Sequence, residues 1–223
     1  MNPTPSGRPL EGVIFLHGIS RSFRSFIKMQ QAVEAAGFAT RNIGYPSRRK
    51  TLSALADDIH PAIAPFAEAN EGCTHFVCHS MGGLLARVYL ARHRPSRLGR
   101  VVMLGTPNGG SEIADLFKNW LPYRQYFGPA GQQLVTMRDD VTEAMLPPVD
   151  YPVGIIAGDR TLDPIASRLM LRGPNDGRVT VARTKLEGMT DHLIIHASHA
   201  MMIRNREAIM QTIAFLKDGQ FRR

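Results

Sequence analysis

The residues able to do chemistry gather in four short stretches: "FLHGIS" (15–20), "VCHSMGG" (77–83), "GPNDGRV" (173–179) and "HASHAMM" (196–202). In the second, Ser80 follows an apolar run and precedes a helix-like one. A strand–serine–helix turn of that kind lifts a hydroxyl onto a strained bend, where it can act as a nucleophile. Crowding there demands small neighbours: Gly82 two places on, and Gly83 for close approach of the following helix. The place two before the serine usually holds glycine, and here it holds Cys78. A cysteine is a compact apolar side chain, so a modest backbone shift would admit it; pointing away from the tip, it would be a poor nucleophile itself. The helix start supplies a positive dipole end and free N–H groups near a developing oxyanion. The N–H of Met81 is one expected donor. The second is the N–H of Ile19, on the turn that His17-Gly18 makes after the first apolar run.

A nucleophilic serine needs a base, and the base needs an orienting carboxylate. With the chain order serine, acid, histidine, the base falls on the loop after the last strand. His199, at the entrance to the final helix, is the leading candidate; His196 and His192 are the alternatives. His60, His75 and His93 lie in unsuitable segments, and His79 occupies the variable position of the turn. Asp176 leads for the acid, because an Asn-Asp-Gly turn would hold its carboxylate in one orientation. Asp159 and Asp163, just after the fifth apolar run, stand against it. His192 and His196 lack a convincing ligand set, so neither a metal nor another cofactor is expected.

The elements that must position these residues alternate regularly. Apolar runs of strand length begin at Gly12, Phe38, Thr74, Arg100, Tyr151 and His192, and segments of helical period lie between them. That alternation predicts an α/β fold, a mostly parallel sheet flanked by helices. Phe23, Phe26, Ile27, Ala32 and Val33 recur at near-helical intervals until Gly37 stops them. Residues 51–69 read as a helix that Pro61 and Pro65 kink or split. Residues 200–219 read as an amphipathic helix with Met202, Ile209, Ile213 and Leu216 inward. Residues 108–148 break the rhythm: no strand candidate, many aromatics, and the only tryptophan, Trp120. A small helical cap over the carboxyl ends of the strands is expected there.

The 223 residues, 43% of them hydrophobic, suffice for one core and hence one domain, 1–223. No run reaches the length of a membrane span, and the first twelve residues lack an apolar leader, so a cytoplasmic protein is expected. Cys73 and Cys78 fall on opposite faces of one strand, which disfavours a disulfide. The formal charge of +8 comes from scattered arginines with no zinc-finger spacing or basic heptad. No nucleic-acid partner is expected; a weak attraction to anionic membrane surfaces is compatible with the charge.

Together, "HGIS", "CHSMGG", "LGTPNGGSE", "NDGRV" and "SHAMM" resemble the α/β-hydrolase superfamily, in particular its compact lipase and carboxylesterase members. The resemblance spans roughly Gly12 to Phe215. It implies an eight-stranded type of sheet, with the first strands dispensable, and hydrolysis of carboxylic esters. Carried over, it makes Ser80 the nucleophile, His199 the base, Asp176 the acid, and Ile19 and Met81 the oxyanion donors. Cys78, and an acid well past the fifth strand, depart from the commonest pattern. The expected partner is a small-molecule or lipid ester, cleaved by an esterase or lipase through an acyl-enzyme. A thioesterase, amidase or polyester depolymerase could use the same triad; a lyase or acyltransferase could use the same scaffold. A non-catalytic acyl-binding module is the reading from a different class.

Overall fold

The run "GVIFL" forms β1 (Gly12–Leu16), a strand buried along its whole length. Val13 and Phe15 point to one face of the sheet, Ile14 and Leu16 to the other, and both faces are core. That is why the run is continuously apolar rather than alternating. The computed structural model describes residues 10–161 and 163–223; residues 1–9, where the lack of a leader is read, lie outside it.

Five further strands join β1: β2 (Ala39–Ile43), β3 (Thr74–His79), β4 (Leu98–Leu104), β5 (Val153–Gly158) and β6 (Asp191–Ile195). All pairings are parallel, in the order β2-β1-β3-β4-β5-β6. These are the six strands expected from the apolar runs. The described residues contain six strands, as in an eight-stranded type of sheet that lacks its first strands. The chain goes from β1 outward to β2 and then back across to β3, so the switch in winding direction falls between β1 and β3. Crevices open at such points, outside the carboxyl ends of the strands. Leu16 pairs with Cys78, His79 with Leu104 and Gly158 with Ile195, so the loops after these strands emerge along one edge.

Helices cover both faces. On one, α2 (Leu52–Ala69) and α3 (Met81–Arg92) pack against Ile14, Leu16, Phe76 and Met103. On the other, α1 (Ile27–Ala35) and the last helix, α9 (Arg206–Asp218), pack against Val13, Phe15, Val77 and Ile156. α2 continues through Pro61 and Pro65 as one helix, with Thr51 accepting a hydrogen bond from the Ala54 N–H at its start. The first helical segment opens with a 3-10 turn at Phe23–Phe26. Phe26, Met29 and Val33 face inward, while Phe23 and Ile27 remain 44% exposed. The expected inward set at the end of the chain holds for Met202, Ile209 and Leu216; Ile213 is only partly buried. Both cysteines are free thiols.

Between β4 and β5 lie three short helices, α4 (Glu112–Phe117), α5 (Leu121–Gln132) and α6 (Asp140–Ala144). The buried Arg87 of α3 donates to the carbonyls of Leu146 and Pro147, tying the end of this excursion to the core. Between β5 and β6 run α7 (Pro164–Met170) and α8 (Val181–Thr184), with Asp176 on the turn that separates them. Among the described residues, no helix is long and apolar enough to cross a membrane.

Candidate active site

Ser80 stands between β3 and α3 with φ 56° and ψ −129°. Only glycine adopts such a conformation freely, and a side chain there stores about 1–3 kcal/mol of strain. The fold enforces it by bringing α3 hard against the end of β1. A Cβ at Gly82 would lie 2.2 Å from the Leu16 carbonyl oxygen, and one at Gly83 would lie 2.1 Å from Thr106 Oγ1. Cys78 is not in that crush. It is buried in the core below the turn with Leu16, Met81 and Met103. Burial pushes its thiol far above the ordinary cysteine range, so the thiolate is inaccessible.

His199 Nε2 lies 2.9 Å from Ser80 Oγ. Its other ring nitrogen, Nδ1, lies 2.7 Å from Asp176 Oδ2. The second carboxylate oxygen of Asp176 accepts the backbone N–H groups of Arg178 (2.9 Å) and Val179 (2.8 Å). The Asp176 carbonyl in turn accepts the His199 N–H at 2.9 Å. Both loops are thus stitched together around one buried carboxylate, whose side chain is 1% exposed. The Asn-Asp-Gly turn does what its sequence predicts: Asn175 Oδ1 accepts the Gly177 N–H, and Gly177 takes a positive φ.

The alternatives lie elsewhere. Asp159 Oδ1 pairs with His196 Nδ1 at 2.9 Å on the surface, so one of the two alternative acids and an alternative base hold each other. Asp163 lines an adjoining cleft. His192 Nε2–H donates to Thr184 Oγ1, whose hydroxyl donates to the Val181 carbonyl. No cluster of three or more His, Cys, Asp or Glu side chains able to hold a metal occurs among the described residues.

The N–H groups of Ile19 and Met81 carry no hydrogen bond among the described residues. Ile19 lines the cleft above Ser80 on the loop after β1. Ser20, next in that loop, also takes a positive φ, 57°, and its N–H donates to Ser47 Oγ. Underneath, the His17 ring stacks on Tyr45, and the Tyr45 hydroxyl donates to the His17 carbonyl. These contacts fix the loop from below.

His79, the variable residue of the turn, has a part that sequence reasoning misses. It is 1% exposed, its ring lies 4.8 Å from that of His199, and its Nε2–H donates to the His199 carbonyl at 2.9 Å. Burial, reinforced by the neighbouring His199, drives its pKa well below the ordinary imidazole value, so the ring is neutral. The hint available in sequence is only that an imidazole precedes Ser80; its partner is a main-chain oxygen far along the chain.

The cleft over Ser80 has a volume of about 380 Å³. Ile113, Tyr123, Tyr126, Phe127 and Leu134, all from the excursion between β4 and β5, form its apolar wall.

Known structures share this architecture. A mature lipase of Bacillus licheniformis superposes with a TM-score of 0.74 at 21% identity, covering 96% of this chain and 92% of that one. The phospholipase PlaB of Legionella pneumophila, solved with thio-NAD, gives 0.72 at 15% identity, over 94% of this chain and 59% of the other. A metagenomic carboxyl esterase gives 0.69 at 21% identity, over 90% and 70%. At these identities the likeness concerns the fold alone. No curated protein matches by sequence. The sequence itself matches the alpha/beta hydrolase fold family over residues 12–130, more than half of its length. Six parallel strands, helices on both faces and that match place this chain in the alpha/beta hydrolase fold family.

Proposed function

We propose that the protein is a serine hydrolase of carboxylic esters, with Ser80 as nucleophile, His199 as base and Asp176 as acid. The observation that carries this reading is the unbroken chain from Ser80 Oγ through both ring nitrogens of His199 to a buried carboxylate. Ser80 attacks the ester carbonyl as its proton passes to His199 Nε2. Asp176 holds the tautomer with the proton on Nδ1 and stabilises the imidazolium that forms. The N–H groups of Ile19 and Met81 receive the oxyanion, a contribution of about 2.7–4 kcal/mol per donor in comparable sites. His199 then protonates the leaving alcohol, and water releases the acyl group by the same steps in reverse.

In this reading residues 108–148 are the cap of the site, and their apolar wall receives the acyl chain. Leu116, Trp120 and Leu121 are exposed on the same excursion. With the formal charge of +8, they support contact with an anionic lipid surface as the protein works. Hydrolysis of a series of nitrophenyl acyl esters tests the proposal. Turnover by the wild type, lost in Ser80→Ala with the fold intact, is the expected result. A folded wild type that binds fatty acid but turns over no ester would favour an acyl-binding module instead.

A further inference from the structure

Two arginines, Arg21 and Arg178, flank the candidate triad. Arg21 follows the loop that carries Ile19, its backbone N–H donating to the Gly18 carbonyl. Arg178 follows Asp176, its backbone N–H donating to that carboxylate. Neither guanidinium has a hydrogen-bond acceptor or a carboxylate partner among the described residues. Some surface arginines have such partners, Arg92 with Asp57, Arg94 with Asp150 and Arg183 with Glu112, while others, such as Arg41, Arg49 and Arg124, show none among the described residues; what sets Arg21 and Arg178 apart is where they stand.

The placement of the two is specific. Both line the cleft over Ser80 and also a neighbouring cleft of about 310 Å³, and His199 stands at the junction with them. Among the described residues, no carboxylate lines the first cleft. In the second, Asp176 is already committed to His199, and Asp163 lies on the wall. Each charge reaches the wall of the first cleft. Burial raises the Tyr123 phenol to about 12, with Arg178 opposing, and the Arg21 charge adds to the effect of burial in lowering the His79 pKa. A third cation, Arg48, lies 4.8 Å over the ring of Tyr126 on the apolar wall.

An apolar wall on one side of the nucleophile and unpaired guanidiniums around it describe an amphiphile. The acyl chain would lie along Tyr123, Phe127 and Leu134, with an anion close to the scissile bond. A phosphate suits the cations best, because its several equivalent oxygens accept planar guanidinium forks from two directions. We infer that Arg21 and Arg178 form an anion site that selects acyl esters bearing a phosphate near the ester, such as anionic lysophospholipids, over neutral esters of equal chain length. The inference rests on the serine-hydrolase reading for turnover, but not for binding.

Calorimetric titration of the wild type, Arg21→Gln, Arg178→Gln and the double variant tests it. The probes are dodecyl phosphate, dodecyl maltoside and inorganic phosphate, each below any micelle threshold. Dodecyl phosphate is expected to bind tightest, to weaken about 5-fold in each single variant, as exposed ion pairs do, and to weaken with added salt. Dodecyl maltoside binding should be unchanged by the substitutions. Equal binding of dodecyl phosphate by all four proteins would overturn the inference. So would a loss shared equally with the maltoside, or an affinity carried wholly by inorganic phosphate. A companion assay compares lysophosphatidic acid with the monoacylglycerol of the same chain. Selective phosphate binding with no turnover of either ester would refute the hydrolase reading and keep the anion site; turnover of both esters with no preference would do the reverse.

Discussion

His199–Asp176 and His196–Asp159 are two imidazole–carboxylate pairs that share a loop, and both join through Nδ1 at nearly equal distances, 2.7 and 2.9 Å. Their surroundings differ completely. In the first, the histidine side chain is 13% exposed and the carboxylate 1%; in the second, the figures are 73% and 38%. An exposed pair is screened by water and is worth at most about 1 kcal/mol. The buried carboxylate, held by two N–H groups, has a single orientation to impose on its imidazole. Only that imidazole has a serine in front of it. Pairing alone therefore marks nothing; burial, fixation and the third group separate a candidate relay from surface chemistry.

Substitutions can break the comparison. The largest effect is expected at His199→Gln, with kcat for a nitrophenyl ester falling about 10⁶-fold, as when the base of such a unit is removed. His196→Gln should stay within about 2-fold, since an exposed pair carries so little. Comparable losses at the two positions, each with an intact fold, would erase the distinction. Next, Asp176→Asn should cost about 10⁴-fold in kcat by favouring the wrong tautomer. Asp159→Asn should change the rate little. A severe loss at Asp159 or Asp163 with a near-normal Asp176→Asn would move the acid.

A third substitution sharpens the comparison by asking what positions the buried pair. His79→Phe keeps a ring beside His199 but removes the hydrogen bond to its carbonyl. A net loss of about 1.5 kcal/mol predicts roughly a 10-fold drop in kcat with little change in KM. His79→Gln, which can donate the same bond, should recover part of it. A drop that falls on KM alone, or no recovery by glutamine, would leave His79 a packing residue.

The smallest effect is on stability. His17, His75 and His79 all titrate below the ordinary imidazole value, chiefly because they are buried. Below pH 6.5 the unfolded chain binds protons that the native state refuses. Stability is therefore complete above that pH and falls as pH drops, until the folded-state values are reached. Each such histidine contributes up to about 1.4 kcal/mol per pH unit in that window. Denaturant midpoints between pH 7 and 5 should fall less steeply for His79→Gln than for the wild type; an equal slope would mean that His79 titrates normally when folded.

Much of this arrangement is legible in the sequence, and for identifiable reasons. Strands buried on both faces must be apolar along their length, as β1 and β5 are, while the edge strands β2 and β6 are only partly buried and are legible as shorter runs bounded by turn residues. The triad candidates are legible because a strand–serine–helix turn, an Asn-Asp-Gly turn and a histidine before the last helix each carry local signals. What escapes is non-local. The bond from His79 joins a ring to a main-chain oxygen, and backbone acceptors have no sequence signature. The union of Arg21 and Arg178 depends on two loops brought together by sheet order. Phe23 and Ile27 share a helical period with Phe26, yet a 3-10 start rotates the apolar stripe away from them. α2 runs through two prolines because its face toward β1 and α3, including Leu55, Ile59 and Ile63, is buried against the sheet. Packing there outweighs the hydrogen bonds forfeited at the proline nitrogens.

The most direct test of the central claim is peptide-mapped labelling with a fluorophosphonate, which needs an activated serine but no knowledge of the natural substrate. A single adduct on Ser80 is predicted, formed at the wild-type rate in His196→Gln and nearly abolished in His199→Gln. An adduct on another residue, or equal labelling of Ser80 whether or not His199 is present, would contradict the account.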